Sequence, residues 1–364
     1  MASDPEVLAR LTLLVAAGGD PRLVCPAVIE AKGGVAALES TSLRARLREG
    51  TRQPQTVKEA ERQLAQAAEH GVRWWVPDGS RNVADAALLS LRGQLPGGPM
   101  VAIVGSREAD PYGLLVAESL GRALAEAGVG VVSGAARGID EAAMRGALAA
   151  GGRVVAVLGT GLLGERDPGK RAFLDAIADR GAVVSEYLLD AHGATWTFPP
   201  RNRIIAALGV ATVVVQAAKR SGSLITAEHA TKLGRPVFAV PGDVLYPLSS
   251  GTNALLGAGK ARVFTHPRDL LDVLGLKVLS SAAWPSGSRG VPPMLAPRGT
   301  GSADLGAASG VLDALRSGAL AFDALLSRVP LEVGALSEVL FDLELKGQVT
   351  RTGADCYVLT QAAA

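Results

Sequence analysis

Between residues 100 and 275, short continuous apolar runs alternate with segments of helical periodicity, and this alternation constrains the fold more than any other feature of the sequence. The apolar runs are Met100–Val104, Val129–Ser133, Val154–Leu158, Val183–Val184, Ala211–Val215 and Pro236–Val240. The helical segments are Leu114–Ala127, Glu141–Ala149, Arg171–Asp179, Asn202–Leu208 and Thr226–Lys232. Valine-rich runs without polar alternation are typical of strands buried on both faces, and strand–helix alternation places such strands in a parallel sheet. The pattern predicts an α/β domain over residues 96–280 with a doubly wound, mostly parallel sheet.

The residues on the amino-terminal side of this domain, and those directly after it, follow other patterns. Residues 1–95 have mostly helical periodicity and end in the turn cluster Leu95–Pro99, so they predict a helical N-terminal domain. Within this domain, Trp74–Pro77 is a short strand or a loop. Residues 281–305 are rich in serine, glycine and proline, which is typical of a flexible linker.

Residues 306–364 predict a winged-helix domain, because three short helical patterns precede a strand–turn–strand ending. The helical patterns are Val311–Arg316, Phe322–Arg328 and Val333–Lys346, and the ending is Val349–Arg351, Gly353 and Cys356–Leu359. This region carries four basic and seven acidic residues, and its third helix has Glu338, Asp342 and Glu344 beside a single lysine. A winged helix that reads DNA needs a basic recognition helix. We therefore expect this domain to contact another protein or to have a regulatory role.

Composition argues against several classes of protein. The 37 basic and 35 acidic residues leave a net charge of +2, so any basic surface must be local. Cys25 and Cys356 lie near opposite ends of the chain without a CxxC or Cys/His cluster, which disfavours a disulfide scaffold or a zinc site. The sequence has no secretory signal pattern, and its apolar runs are far shorter than the roughly 20 residues of a membrane span. We therefore expect a soluble cytoplasmic protein with no metal, no cofactor and no membrane contact.

Polar loops follow five of the predicted strands. They are Gly105-Ser106-Arg107, Gly134–Asp140 with Arg137 and Gly138, Gly159-Thr160-Gly161, Ser185-Glu186, and Gln216 with Lys219–Ser223. Ligands of open parallel sheets bind beyond the carboxyl ends of the strands, so we expect these loops to converge. Glycine backbones, helix N-termini and arginine side chains suit an anionic ligand such as a phosphate. Loops of α/β proteins also carry glycine and serine simply to turn, but five agreeing loops favour a shared site.

Aromatic and basic residues surround the predicted start of the helix near residue 202. Trp196 and Phe198 are candidates for stacking on nucleic-acid bases, or serve as a hydrophobic cover and a core residue. Arg201 and Arg203 do not share a helix face, so both reach one ligand only near the helix terminus.

The segment Gly159–Gly164 matches the glycine spacing of a dinucleotide-binding loop, and Glu186 follows at a suitable distance. In that motif, however, the third glycine lies within a helix. Here the helix-breaking pair Pro168-Gly169 follows soon afterwards. The segment also follows the third strand of the domain rather than the first, so a nicotinamide cofactor is not expected.

Five motifs together resemble the DprA/Smf family of DNA-processing proteins. They are Val101–Arg107, Ser133–Asp140, Phe198–Ile205, Arg220–Ala227 and Phe238–Gly242, and they cover most of residues 100–265 in family order. The resemblance implies an extended Rossmann-like domain between an N-terminal SAM-like helical domain and a C-terminal winged helix. It also implies a non-catalytic homodimer that binds single-stranded DNA without sequence preference, protects it, and loads RecA recombinase in natural transformation and homologous recombination.

The resemblance also assigns roles to individual residues. Arg107 matches the principal DNA-contacting arginine of the family, and Lys170 corresponds to a basic residue after the third-strand loop. Motifs lining the same pocket match Gly134, Arg137, Gly138, Arg201, Arg203, Ser221 and Ser223. The predicted DNA-binding set is completed by Gly105, Ser106, Gly159, Thr160, Trp196, Phe198, Asn202 and Gly222. The stretch that forms the dimer in the family corresponds to Thr252–Leu256, with Asn253, Leu255 and Leu256 as the interface residues.

An enzyme is the alternative. The same pocket suits a Rossmann-like nucleotide-processing enzyme of the nucleoside-monophosphate phosphoribohydrolase type, with Glu186 or Glu228 as the catalytic group. Enzymes of that class carry a PGGxGT-like loop, which the segment Ser221–Glu228 matches only weakly. A purely structural protein does not explain why polar loops follow five strands.

Overall fold

The computed structural model describes residues 4–39, 53–77, 83, 86–276, 284, 305–316, 318–331, 333–352 and 356–360. The chain divides into two compact units, Met1–Gly290 and Val291–Ala364. The predicted linker, residues 281–305, lies almost entirely outside the described residues. The domain boundaries at residues 95, 280 and 305 stay predictions.

The described residues of the first unit begin with the helices α1 (Pro5–Ala16), α2 (Pro21–Glu30), α3 (Gly34–Glu39) and α4 (Pro54–Glu69). The first two start in the same way: Asp4 and Asp20 accept hydrogen bonds from the backbone amides of Glu6 and Arg22, and a proline follows each aspartate. Both features favour a helix start, because the carboxylate satisfies an amide that has no partner in the helix and proline needs none. The helical character expected for this region is confirmed.

A nine-stranded sheet forms the centre of the first unit. Its strands are β1 (Arg73–Trp75), β2 (Leu89–Gly93), β3 (Met100–Val104), β4 (Gly130–Ser133), β5 (Val154–Leu158), β6 (Ala182–Ser185), β7 (Ala211–Val214), β8 (Val237–Ala239) and β9 (Arg262–Val263). Their order is β1-β2-β6-β5-β4-β3-β7-β8-β9. β1 and β2 are antiparallel to their neighbours, and all other pairings are parallel. The six predicted apolar runs are β3 to β8, so the doubly wound, mostly parallel sheet is confirmed.

Helices cover both faces of this sheet. They are α5 (Pro111–Glu126), α6 (Ile139–Ala149), α7 (Pro168–Arg180), α8 (Phe198–Leu208), α9 (Ser223–Lys232), α10 (Ser250–Gly257) and α11 (Pro267–Val273). Alternate residues of β3 pack in different cores: Val101 and Ile103 lie with α5 and α6, whereas Ala102 and Val104 lie with α8 and α9. Burial on both faces explains the continuous apolar runs of the sequence. No helix in the described part of the chain has the length and apolar character needed to cross a membrane.

The second unit has the element order of a winged helix. Its elements are α12 (Leu305–Leu315), β10 (Leu320–Ala321), α13 (Phe322–Leu326), α14 (Val333–Leu345), β11 (Val349–Thr352) and β12 (Cys356–Leu359), with the strands in the antiparallel order β10-β12-β11. Val311, Leu325, Leu336 and Leu340 form a core of their own. The predicted winged helix is confirmed. The turn at Gly353 and the side chains of Glu338 and Asp342 lie outside the described residues.

The strand order reverses beside β3. The chain continues from β3 to β4 on one side, and β7 and β8 lie on the other side. At such a switch point, the loops that follow the two adjacent strands turn away from each other and leave a crevice. The loop at Gly105–Arg107 and the loop that reaches Ser223 border this crevice, which holds the candidate site.

Candidate functional site

A cavity of about 540 Å³ lies at the carboxyl end of β3. From the predicted DNA-binding set, its lining contains Gly105, Ser106, Arg107, Phe198, Arg201, Asn202, Ser221, Gly222 and Ser223. These residues come from three separate segments of the chain. Of the five polar loops expected to converge, those after β3, β4 and β7 contribute to the lining, whereas Gly159–Gly161 and Ser185-Glu186 do not. The DNA-binding role of each residue stays a prediction.

Arg107 is the exposed cation of the loop after β3. Its guanidinium carbon lies 4.9 Å from the centroid of the Phe198 ring, a distance that allows a cation–π interaction. The loop is fixed by the backbone amide of Ser106, which donates to the carbonyl of Gln216 over 2.8 Å. Arg107 is exposed and makes no ion pair with any described residue. Its N–H groups are therefore available to an anionic ligand.

Gly138 presses the loop after β4 against the loop after β3. Its φ angle is +89°, and a Cβ atom there would lie 2.3 Å from the carbonyl oxygen of Ser106. The next residue, Ile139, begins α6 and donates its amide to that same oxygen over 3.2 Å. Only glycine fits both the conformation and the space, so this residue sets the position of the Ser106–Arg107 loop.

Arg201 joins the ends of two strands. It is 5% exposed, and its Nη1 donates to the carbonyls of Gly134, over 2.9 Å, and of Val157. Asp140 is also buried and accepts from the amides of Gly134 and Ala136 over 3.1 and 3.4 Å. Burial lowers the pKa of Arg201 to about 10, and the negative charge of Asp140 opposes that shift. Burial raises the pKa of Asp140. Arg201 thus stays charged at neutral pH while its donors hold the frame of the site.

Three helices begin at the cavity. α6 contributes Asp140, α8 contributes Phe198 and α9 contributes Ser223 to the lining, and none of the three has a side-chain hydrogen bond at its N-cap. The Nδ2 of Asn202 donates to the carbonyl of Gly222 over 3.1 Å, which ties α8 to the start of α9. The first amides of α6 and α9 are paired within the protein, as Ile139 donates to Ser106 and Leu224 donates to Ser221. The dipoles of the three helices still give this end of the sheet a positive potential that attracts anions.

Arg220 also lines the cavity and is exposed, although it lies outside the predicted binding set. The sequence carried a signal for it, since Lys219 and Arg220 belong to the loop after the fifth predicted strand. Beside it, the hydroxyls of Ser221 and Ser223 are 2.7 Å apart. This loop therefore adds a second exposed guanidinium and two hydroxyls to the site.

Eight predicted DNA-binding residues lie outside the cavity lining, and two of them, Arg203 and Trp196, contact the N-terminal helices. Arg203 pairs with the carboxylate of Glu186, its Nη2 lying 2.6 and 2.7 Å from the two oxygens. The Sγ of Cys25, from α2, lies 3.2 Å from the same carboxylate, and burial with the nearby negative charge raises the pKa of this thiol. Trp196 stacks under the guanidinium of Arg22, 4.8 Å from its ring centroid, and contacts Tyr187 edge-on. Both residues join the N-terminal helices to the sheet.

The other predicted residues support the loops around the cavity. Lys170 donates to the carbonyl of Ala135, and burial lowers the pKa of this lysine. A Cβ atom on Gly159 would lie 2.7 Å from the Phe198 ring, so glycine there leaves room for that ring. The carbonyl of Thr160 accepts from the hydroxyl of Ser185 over 2.6 Å. Arg137 is exposed. A Cβ atom on Gly134 would collide with the guanidinium of Arg201 at 2.6 Å.

The predicted dimer residues lie on α10. The side chain of Asn253 accepts from the amide of Gly242 over 3.2 Å and donates to its carbonyl over 3.0 Å. Leu255 is partly buried against the core that holds α8 and α9, and Leu256 is half-buried. The amide of Asn253 thus has a structural role within one chain. A dimer contact at these residues stays a prediction.

Known proteins share both the sequence and the fold. Residues 77–275 match the model of the DNA recombination-mediator protein A family, and residues 296–354 match the DprA winged helix domain. Protein Smf of Escherichia coli is 43% identical over 176 residues, which cover 48% of this chain and 46% of that protein. This chain therefore spans about half the length of that relative.

Two solved structures are similar to the first unit. The X-ray structure of DprA from Streptococcus pneumoniae matches with a TM-score of 0.58 at 31% identity, covering 73% of this chain and 97% of that one. The structure that describes the single-stranded DNA binding mode of DNA processing protein A from Helicobacter pylori matches with a TM-score of 0.51 at 28% identity, covering 56% and 95%. With a family model matching more than half of its length, this chain belongs to the DprA/Smf family of DNA recombination-mediator proteins and carries the winged-helix domain of that family.

Proposed function

We propose that this chain binds single-stranded DNA without sequence preference through the cavity at the end of β3. The observation that carries the proposal is the exposed Arg107 guanidinium, stacked on Phe198 where three helices begin. Membership of the recombination-mediator family supports it, as does the similarity to the Helicobacter pylori protein.

The chemistry of the cavity suits the phosphates of a strand. Arg107 and Arg220 offer exposed guanidinium groups, Ser221 and Ser223 offer hydroxyls, and the dipoles of three helices add positive potential. Such donors recognise phosphate and sugar, which carry no sequence information, so binding is nonspecific. The cavity volume of about 540 Å³ falls within the range of about 300–1,000 Å³ for small-ligand sites, and it accommodates a nucleotide unit.

The carboxylates that the enzyme alternative requires lie elsewhere. Glu186 is buried against Arg203, and Glu228 is exposed and pairs with Lys232 over 2.7 Å. Neither lines the cavity. Asp140 does, but its carboxylate accepts two backbone amides and is buried beside Arg201. These contacts favour a binding protein over a phosphoribohydrolase.

The wider role follows from family membership. We infer that the chain protects incoming single strands and loads RecA recombinase onto them in the cytoplasm, in natural transformation and homologous recombination. It acts as a homodimer through Asn253, Leu255 and Leu256 of α10. The winged helix, with few basic residues, is a module for protein contact. We retain the division into residues 1–95, 96–280, 281–305 and 306–364 as part of this proposal.

The test is fluorescence anisotropy with a labelled strand of about 35 nucleotides and with its duplex, at several salt concentrations. We expect a strong preference for the single strand and an affinity that falls with salt, with a log–log slope of about −0.7 per neutralised phosphate. Millimolar nucleoside monophosphate should not compete. Weak strand binding that a monophosphate abolishes would contradict the proposal and favour the enzyme.

A further inference from the structure

Two apolar side chains project from the loop between β8 and α10. Val244 is 84% exposed and Leu245 is 88% exposed, the highest values among the large hydrophobic residues described. Their loop is ordered by hydrogen bonds, since the carboxylate of Asp243 accepts from the amide of Leu245 over 2.8 Å and its carbonyl accepts from Tyr246 over 3.1 Å. A hydrogen-bonded turn thus holds both side chains in solvent, where each exposes a large apolar surface.

Two tyrosines extend this apolar surface. Tyr112 is 51% exposed at the start of α5, two residues after Asp110. Tyr246 follows Leu245 in the same ordered turn, which places it beside the two apolar side chains. Desolvation and the Asp110 carboxylate raise the pKa of both Tyr112 and Tyr246. We call Val244, Leu245, Tyr112 and Tyr246 the apolar ledge.

The apolar ledge adjoins the cavity. Leu248 lies on the same loop and lines the cavity, and three residues of chain span at most about 11 Å. A second connection runs through Asp110, whose carboxylate accepts from the Nε2 of Gln216 over 2.8 Å. The carbonyl of Gln216 in turn accepts from the amide of Ser106 in the cavity. The apolar ledge and the phosphate donors therefore belong to one continuous surface.

Charge differs between the two parts of that surface. Asp110 and Asp243 adjoin the apolar ledge, whereas the cavity presents Arg107 and Arg220 beside the single carboxylate of Glu108. A phosphate over the ledge would meet like charge, and a neutral base would not. Apolar and aromatic side chains bind the faces of unpaired bases regardless of sequence. The charge pattern thus fits a strand whose phosphates occupy the cavity and whose bases point to the ledge.

We propose that the apolar ledge contacts the bases of the single strand whose phosphates lie in the cavity. This inference rests on the proposed function and adds a source of selectivity to it. In a duplex, the bases are paired and stacked inside the helix and have no free face to offer. The phosphates of a duplex and of a single strand, by contrast, present the same chemistry to Arg107.

The experiment compares a strand of about 35 nucleotides with a strand of equal length that carries abasic sites, both titrated with the full chain. The wild type should bind the abasic strand about tenfold more weakly, as base–side chain stacking is worth about 1–3 kcal/mol. The Val244→Ser/Leu245→Ser variant should bind the intact strand more weakly than the wild type does, and the difference between its affinities for the two strands should be smaller. The matched control is Leu233→Ser, which changes another exposed leucine, 45% accessible at the far end of α9, and it should behave like the wild type.

The Arg107→Ala variant separates this inference from the proposed function. It should weaken binding of both strands by the same factor and keep the difference between them. A double variant that still distinguishes the two strands as the wild type does would overturn the role of the apolar ledge and leave the proposed function intact. A double variant that loses affinity for both strands equally and sediments as a smaller species would identify the ledge as a contact between copies of the chain instead. A wild type that binds neither strand would overturn both proposals.

Discussion

The arginines near the cavity form two groups with opposite environments. Arg201 and Arg203 are held on α8 with their guanidinium groups engaged by backbone carbonyls or by a buried carboxylate. Arg107 and Arg220 lie on loops and are exposed. Both groups belong to the motifs from which the sequence predicts DNA binding. Residue type alone therefore does not decide which arginine contacts a ligand.

The difference has an energetic cause. A buried charge is tolerated when its hydrogen-bonding groups and its charge are satisfied within the protein. Arg201 and Arg203 therefore stabilise the structure around the cavity rather than contact a ligand. An exposed guanidinium stays hydrated and exchanges water for a phosphate at little cost. The buried pair should control stability and the exposed pair should control affinity.

The largest effect should come from breaking the buried ion pair. Arg203→Ala leaves the Glu186 carboxylate, 3% exposed, without its guanidinium, and should lower the free energy of unfolding by about 3–5 kcal/mol. Urea denaturation followed by circular dichroism measures this. The control is the double variant Arg203→Met/Glu186→Leu, which removes both charges and should recover most of the loss. A single variant within 1 kcal/mol of the wild type would mean that α8 does not depend on this pair.

A smaller effect should follow from altering the glycine that shapes the exposed loop. Gly138→Ala adds a Cβ atom 2.3 Å from the carbonyl of Ser106 at a φ of +89°, and should cost about 2 kcal/mol. Because that carbonyl lies next to Arg107, strand affinity should fall as well. The control is Gly128→Ala, with a φ of +73° and nothing within 4 Å, which should cost about 1 kcal/mol and leave affinity unchanged. Equal effects of the two variants would contradict the close contact.

The sequence predicted the centre of the sheet better than its edges. β3 to β8 are buried on both faces, and that burial produces the continuous apolar runs that are visible without a structure. β9 consists of two exposed residues, Arg262 and Val263, and carries no such pattern. β2 pairs antiparallel with β6 although it precedes the α/β region in the chain. Its membership of the sheet depends on a partner about 90 residues away, which periodicity does not reveal.

The candidate site likewise has features that the sequence predicts and features that it does not. The convergence of three of the five loops was predictable, because the carboxyl ends of parallel strands share one edge of the sheet. The partial burial of Arg203 was not predictable, because it depends on Glu186 and on Cys25 from a helix at the start of the chain. Trp196 likewise owes its position to Arg22. Contacts between distant parts of the chain decide which of several similar residues face a ligand and which support the fold. A local sequence motif contains no information about such contacts.

The exposed arginine of the cavity should affect affinity alone. Arg107→Ala should weaken single-strand binding about tenfold, since a hydrogen bond to a charged group contributes about 1.5–3 kcal/mol, and should change stability by less than about 0.5 kcal/mol. Anisotropy and urea denaturation measure the two quantities. The control is Arg122→Ala on α5, a partly exposed arginine that does not line the cavity and lies 3.4 Å from the carboxylate of Glu118. Equal affinity losses in the two variants would mean that Arg107 contributes only to the overall positive charge of the protein and makes no specific contact with the strand.

The smallest change in stability should come from an exposed arginine that has acidic partners. Arg62 on α4 contacts Glu59 over 2.6 Å and Asp190 over 2.8 Å, so it joins the N-terminal helices to the sheet as Arg203 does, but in solvent. Hydrogen bonds from Arg62 lower the pKa of Glu59, and they lower the pKa of Asp190 against the opposing effect of its partial burial. Arg62→Ala should cost less than about 1 kcal/mol at pH 7, because water screens exposed pairs.

The pH dependence of that small contribution has a definite sign. A carboxylate whose pKa is lowered by folding stabilises the protein above the pKa of the unfolded chain, here about 4, and loses this contribution as the pH falls through the lowered value. The difference in unfolding free energy between the wild type and Arg62→Ala should therefore be constant near neutrality and shrink towards zero by about pH 3. A difference as large as that of Arg203→Ala, or one that grows in acid, would show that exposure does not separate the two groups of arginines. A small difference that vanishes in acid would assign this second link between the helices and the sheet to screened surface charge, and would leave the buried pair as the link that fixes α8.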